Sequence, residues 1–214
     1  MKVIDLTHTI REDMPVYPGT DTPHLETANT YEKDFFKETK MTMYTHTGTH
    51  MDPPAHIFDG RTTLDQFPVE QFIGKALVID CADANAGEIL GMDRLAEIRE
   101  KADGADFLLF RTGWDRFWGQ EEYFGAYPVI GPDIVEYLIA SGKKGIGLDV
   151  IGVDPIADAN LRIHRRLLQT GKFVVIENLA NLEQAGGELF TFCALPLHYR
   201  DADGSPIRAV GIFD

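Results

Sequence analysis

Cysteine is scarce in this chain: two of 214 residues, Cys81 and Cys193. Both stand in apolar, strand-like runs, and neither belongs to a Cys-x-x-Cys pair. The expectation is two buried free thiols in a reducing compartment, with a disulfide or a thiolate metal ligand as the alternative. Basic residues are also in short supply, 20 against 34 acidic ones, for a net charge of −14. So acidic a surface repels nucleic-acid phosphates and anionic lipid headgroups, which argues against nucleic-acid binding and membrane association. No apolar run approaches the roughly 20 residues needed to span a bilayer. The opening Met1-Lys-Val-Ile-Asp-Leu-Thr-His lacks the apolar stretch of a signal peptide and carries an early Asp, so the chain reads as cytoplasmic. A Gly-rich phosphate loop and a Gly-x-Ser-x-Gly nucleophile motif are both missing, as are internal repeats, heptads and low-complexity tracts.

The chain is 44% hydrophobic and 25% charged, the balance of a soluble globular protein, and its length predicts one domain over residues 1–214. Short apolar runs predict strands at Val3–Leu6, Ala76–Cys81, Phe107–Phe110, Gly145–Asp149, Phe173–Ile176, Leu189–Ala194 and Pro206–Ile212. The Thr- and Tyr-rich segment Lys40–His46 alternates and predicts another strand. Helical spacing marks Met92–Lys101. Gly131-Pro132-Asp133 opens a helix that stops at Gly142, and Asp158 or Asn160 caps one running to about Gln169, with Gly171 as its stop. Residues Arg11 to Lys40, rich in Pro, Gly, Thr and charge, predict a long connection with little regular structure, and long loops are often functional. Within it, Tyr17 stands between Pro15 and Pro18, which fix the local backbone and present the ring to a pocket. Strands and helices alternate through the middle while strands dominate both ends, so the fold class is mixed α/β.

Chemistry concentrates in His46-Thr-Gly-Thr-His50-Met-Asp52-Pro-Pro-Ala-His56. Three of the chain's seven histidines and an aspartate fall within eleven residues. Imidazole and carboxylate are the usual donors for zinc and similar divalent ions. Pro53 and Pro54 forbid a regular helix, so this is no His-Glu-x-x-His arrangement. Gly48 permits a tight turn, and a strand end entering a stiff loop can converge several donors on one point. The alternative is a polar loop stiffened by proline. His164, on an expected helix, and Glu177, closing the apolar run Phe173-Val-Val-Ile, are further candidate ligands. Alone, each reads as a helix-surface histidine and a structural glutamate, although a carboxylate ending a buried strand is costly unless paired or metal-bound. Asp149 and Asp154 could support a site but also suit turns and caps. Trp114 and Trp118 read as core or pocket wall, and His8, His24 and His198 have no nameable partner.

The segment His46-x-Gly-Thr-His50-x-Asp52-x-Pro-x-His56 resembles the signature of the cyclase family of metal-dependent hydrolases, which includes bacterial kynurenine formamidase and isatin hydrolase. The resemblance extends to Ile-Asp-Leu-Thr-His at the start, Tyr17-Pro-Gly, Arg111-Thr-Gly-Trp, Gly147-Leu-Asp, His164 with Glu177-Asn-Leu, and Asp203-Gly-Ser-Pro-Ile-Arg. It implies a mixed-sheet domain of the swivelling β/β/α kind. It also implies a divalent metal centre, zinc with two ions per subunit, or manganese. His46, His50 and Asp52 would hold one ion, and Asp52 would bridge to a second on His164 and Glu177. His56 would match the catalytic histidine. Tyr17 stands where kynurenine formamidases carry Trp against the substrate, and Gly152 where many relatives have Ser.

The implied activity is hydrolysis of a non-peptide amide by a hydroxide formed from metal-bound water. The arylformamidase reaction, N-formylkynurenine and water to kynurenine and formate in tryptophan catabolism, is its leading form. Tyr17, and Trp114 beside it, would wall the aryl pocket. Alternatives are a hydrolase of another cyclic amide, lactam or ester such as an isatin-like ring, and a metal-holding binding protein without turnover. The resemblance further implies a homodimer or higher homo-oligomer acting on a small molecule.

Overall fold

Runs of Ile, Val, Leu and Phe bounded by Gly, Pro and polar residues set the strands, because branched and aromatic side chains suit a pleated, buried surface. The computed structural model describes residues 1–213. Its strands are β1 (Lys2–Asp5), β2 (His24–Asn29), β3 (Glu38–Thr42), β4 (His50–Asp52), β5 (Ile73–Asp80), β6 (Ile89–Leu90), β7 (Phe107–Arg111), β8 (Val129–Ile130), β9 (Gly145–Leu148), β10 (Val174–Glu177), β11 (Phe190–Pro196) and β12 (Ser205–Phe213). The α-helices are α1 (Tyr31–Asp34), α2 (Arg99–Gly104), α3 (Pro132–Ala140) and α4 (Arg162–Leu168).

Eight strands form one mixed sheet in the order β1-β12-β11-β5-β7-β9-β10-β4. β5, β7, β9 and β10 run parallel, and the others join antiparallel. β4 also pairs with β12, Ser205 opposite Met51 and Pro206 opposite His50, which rolls the sheet into a closed, barrel-like ring. The mixed α/β architecture expected from the sequence is therefore the one observed. Alternation along the strands divides the core in two. Ala76, Val78, Phe107, Leu109, Val174 and Ile176 face the inside of the ring with Phe192 and Ala209. Leu77, Ile79, Leu108, Phe110 and Val175 take the other face and pack against Ile134 and Leu138 of α3 and Leu167 of α4. Both faces of these strands are buried, which is why the sequence shows continuous apolar runs there.

Several elements depart from expectation. The stretch from Arg11 to Lys40 is not a structureless connection: it holds β2, α1 and most of β3, paired as a hairpin with Glu26 opposite Lys40. Both strands of the hairpin are largely exposed, so it has no buried face to impose an apolar alternation on the sequence. The strand expected over Lys40–His46 ends at Thr42, leaving His46 in an irregular stretch whose turn is made by Gly48 at φ +64°. Met92–Lys101 begins as a 3-10 turn and becomes α-helical at Arg99. The helix expected from Asp158 or Asn160 starts at Arg162, and its cap is remote: Asp154 accepts the backbone N–H of Ile163 at 2.7 Å and of His164 at 2.9 Å.

β9 sits between β7 and β10 with no room to spare. A Cβ at Gly147 would stand 2.6 Å from both Leu109 Cδ2 and Leu179 Cδ1. Gly147→Ala should therefore cost about 1–3 kcal/mol through overpacking. The check is urea denaturation: a lowered midpoint with unchanged slope is expected, and an unchanged midpoint would contradict the close packing.

Candidate metal centre

The pairing of the three-residue strand β4 with β10 sets the centre. His50 lies opposite Glu177 and Asp52 opposite Val175. Side chains alternate along a strand, so His50 and Asp52 share one face, and the cross-strand partner Glu177 shares it too. Val175 belongs to the helix-facing layer, and α4 supplies His164 from above it. His50 Nε2 lies 3.3 Å from Asp52 Oδ1 and 3.5 Å from Glu177 Oε2. His164 Nε2 lies 3.1 Å from Glu177 Oε1 and 3.5 Å from Asp52 Oδ2. His46, brought back by the turn at Gly48, places Nδ1 2.6 Å from Asp52 Oδ1.

The far nitrogen of each ring is also occupied. His164 Nδ1 is 2.7 Å from Asp154 Oδ2, and His50 Nδ1 is 2.8 Å from the Gly48 carbonyl. That carbonyl also accepts Asn178 Nδ2 at 2.9 Å, and Asn178 Oδ1 accepts the Tyr123 hydroxyl at 2.7 Å. An imidazole committed at one nitrogen presents the lone pair of the other, the usual arrangement of a metal-ligating histidine.

Asp52 is 1% exposed and Glu177 5%. Among the described residues, their ion-pair partners are imidazoles alone. Two buried carboxylates without Lys or Arg are expensive, and a divalent cation supplies the missing charge to a donor set of the right chemistry. Two groups of donors each converge within 4.8 Å, His46 with Asp52 and His56, and His50 with Asp52 and Glu177, so Asp52 is common to both. The residues therefore fit a divalent metal. Protons are the competing counter-charge. Burial opposes the charged form of His46, but Asp52 and Asp203 override it and hold the group at about 10. Burial likewise opposes the charge on His164, yet hydrogen bonds to Asp154, Asp52 and Glu177 raise it well above the usual histidine value. Asp52 is driven well below the carboxylate range by His50 and His46, against the effect of burial.

His56 differs from its neighbours. It ends the 3-10 turn Pro54–His56, with Pro54 at the first position where a missing N–H costs nothing. Its ring centroid is 3.9 Å from that of His46 and 5.9 Å from that of His164. Burial lowers its pKa from the ordinary histidine value, favouring the neutral ring. A cleft of about 290 Å³ opens over these groups, walled by Val16, Tyr17, Tyr44, Ile151, Gly152 and Leu161.

All seven residues singled out from the sequence, His46, His50, Asp52, His56, His164, Glu177 and Tyr17, thus line one cleft. His50 stands between Asp52 and Glu177, sharing Asp52 Oδ1 with His46 while also facing Glu177 Oε2. Trp114 does not wall the cleft. It is core, and its Nε1 donates to the Tyr123 carbonyl at 3.1 Å. Trp118 stacks on His8 at 3.8 Å, and His24 pairs with Glu12 at 3.0 Å. Tyr44, Asn178 and the contact of Asp203 with His46 escaped sequence reasoning. Tyr44 sat in a segment read as strand, and the other two act through neighbours remote in sequence.

Residues 4–155 match the family described as "Putative cyclase". The chain is 35% identical over 215 residues to the kynurenine formamidase of Bacillus cereus, covering 97% of this chain and 95% of that protein. Isatin hydrolase A from Labrenzia aggregata, solved with benzyl benzoate, superposes with a TM-score of 0.88 at 26% identity, over 98% of this chain and 93% of that one. A structure titled a potential metal-dependent hydrolase with cyclase activity gives 0.80 at 26% identity, over 98% and 96%. On these matches, with His, Asp and Glu side chains converging beneath the cleft, this chain belongs to the cyclase family of metal-dependent hydrolases.

Proposed function

We propose that this chain is an arylformamidase-like amide hydrolase, converting N-formylkynurenine and water to kynurenine and formate, a step of tryptophan catabolism. The observation that carries this reading is the convergence of His46, His50, Asp52, His164 and Glu177 beneath one cleft, with His56 beside them. These five would hold a divalent metal, two ions where Asp52 serves both donor groups, zinc in the first instance and manganese as the alternative. Such an ion lowers the pKa of water it binds and polarises a carbonyl. His56 is the base: its neutral imidazole takes the proton from the attacking water and returns it to the leaving nitrogen. Tyr17 and Tyr44 bind the aryl ring from the cleft wall. Gly152 lines the cleft, and a Cβ there would press on the Tyr127 hydroxyl and the Asp154 carbonyl at 3.2 Å. The kynurenine formamidase relatives support the substrate.

A second reading, opening of an isatin-like cyclic amide, is supported by the likeness to isatin hydrolase. A metal-holding protein without turnover is disfavoured by the presence of His56 beside the full donor set. A homodimer or higher homo-oligomer is supported by the β2–β3 hairpin and its tip, where Tyr31, Phe35, Phe36 and Met41 are all exposed. Two unpaired cysteines support a cytoplasmic setting, and no helix among the described residues is long and apolar enough to cross a membrane.

Elemental analysis coupled to formate release tests the reading: stoichiometric metal and turnover of N-formylkynurenine are expected, whereas turnover of isatin alone would favour the second reading. His56→Ala should keep its metal while kcat falls about 10²–10⁴-fold. Undiminished turnover in that variant removes His56 from the chemistry. Metal and protons compete for the same imidazoles, so apparent zinc affinity should rise with pH from 6 to 8, with protons released on binding. Calorimetry in buffers of different ionisation enthalpy reads that release, and a pH-independent affinity would contradict it. Tyr17→Ala should raise KM about threefold to tenfold with kcat little changed. A fall in kcat alone would place Tyr17 outside substrate binding.

A further inference from the structure

The turn between β11 and β12 reaches the metal centre from the far end of the chain. We propose that Asp203 and Gly204 on this turn are the positioning element of His46. The inference rests on the metal-centre reading above and extends it to a residue pair with no donor role of its own.

His46 needs outside support more than its neighbours do. His50 is fixed by β4 and His164 by α4, whereas His46 lies in the irregular stretch before β4 with 22% of its side chain exposed. Its far nitrogen, Nε2, faces Asp203 Oδ2 at 3.4 Å. It is a longer counterpart, on the opposite ring nitrogen, of the 2.7 Å contact of Asp154 with His164 Nδ1 and the 2.8 Å contact of the Gly48 carbonyl with His50 Nδ1. With a divalent ion bound, a carboxylate at Nε2 would hold the proton there and leave the Nδ1 lone pair free for the ion beside Asp52. Gly204 fixes the plane of the ring. A Cβ at this position would stand 2.8 Å from His46 Nδ1 and closer still to Nε2 and Cε1, so the imidazole lies directly against the glycine backbone. The turn itself is held rigidly. Tyr199 donates its hydroxyl to the Gly204 carbonyl, and Thr45 donates to Asp203 Oδ2 at 3.4 Å. Immediately beyond, Ser205 and Pro206 pair with Met51 and His50, and Ile207 N–H donates to the Thr49 carbonyl at 3.0 Å. The turn is thus registered against the ligand strand, and any shift of one moves the other.

The test is zinc affinity of the full chain, by competition with a chromophoric chelator, in Asp203→Ala, Asp203→Asn and Gly204→Ala. Asp203→Ala should bind zinc about 10–100-fold more weakly, with the melting temperature of the metal-free protein unchanged. Asp203→Asn, which keeps an acceptor at the same place, should recover part of that loss. Gly204→Ala should weaken zinc binding through displacement of the ring. The decisive arm is a double-mutant cycle: on a His46→Ala background, Asp203→Ala should cause no further loss. Full additivity with His46→Ala, or parental zinc affinity in Asp203→Ala, would overturn the proposal while leaving the metal centre intact. A parent chain that binds no zinc would overturn both.

Discussion

Two carboxylates buried beside each other, Asp52 and Glu177, are the constraint from which the rest of the centre follows. Neither has a Lys or Arg within reach among the described residues, so imidazoles and whatever they share must balance the charge. The balance depends on position, and the imidazoles of His46, His50 and His164 are each held from behind. Asp154 grips His164 and caps α4 with the same carboxylate, so the helix and its histidine are placed by one group. Asn178 and Tyr123 hold the Gly48 carbonyl that holds His50. The polar network is satisfied link by link, which is the condition under which buried polarity stiffens a structure.

Closure of the sheet is what holds so short a strand of candidate ligands in place. β4 has three residues, yet it is clamped on both sides, by β10 and by β12. A one-residue slip would turn His50 and Asp52 into the ring and Met51 out of it, exchanging two charged groups for a thioether in the apolar interior. The hydrophobic ring core and the polar centre therefore enforce the same register.

How much of this was legible in the sequence follows from which interactions are local. His46, His50, Asp52 and His56 are readable because a strand end and a proline-stiffened turn bring neighbours in sequence together. Glu177 is readable because a carboxylate at the end of a buried strand demands a partner. β5, β7, β9 and β10 are readable because both faces are buried and the runs are continuous. The β2–β3 hairpin is not, since an exposed ribbon leaves no apolar period, and neither is the β4–β12 pairing, since nothing in either strand names the other. His164 is only half readable, since a lone histidine on an expected helix becomes a candidate ligand only beside a site formed elsewhere in the chain. Asp154 and Asp203 look like ordinary turn residues until the fold sets them behind a histidine.

The contact between His46 and Asp203 spans 157 residues. At typical synthesis rates of 5–20 residues per second, about eight to thirty seconds separate the emergence of the two from a ribosome. For most of that interval the nascent chain displays His46, His50, Asp52 and His56 without Glu177, and for all of it without the turn at Gly204. An ion captured then would sit in an open, exchangeable half-set. The His46 contact would therefore be completed only with the arrival of the last strand, after the other candidate donors are already in place.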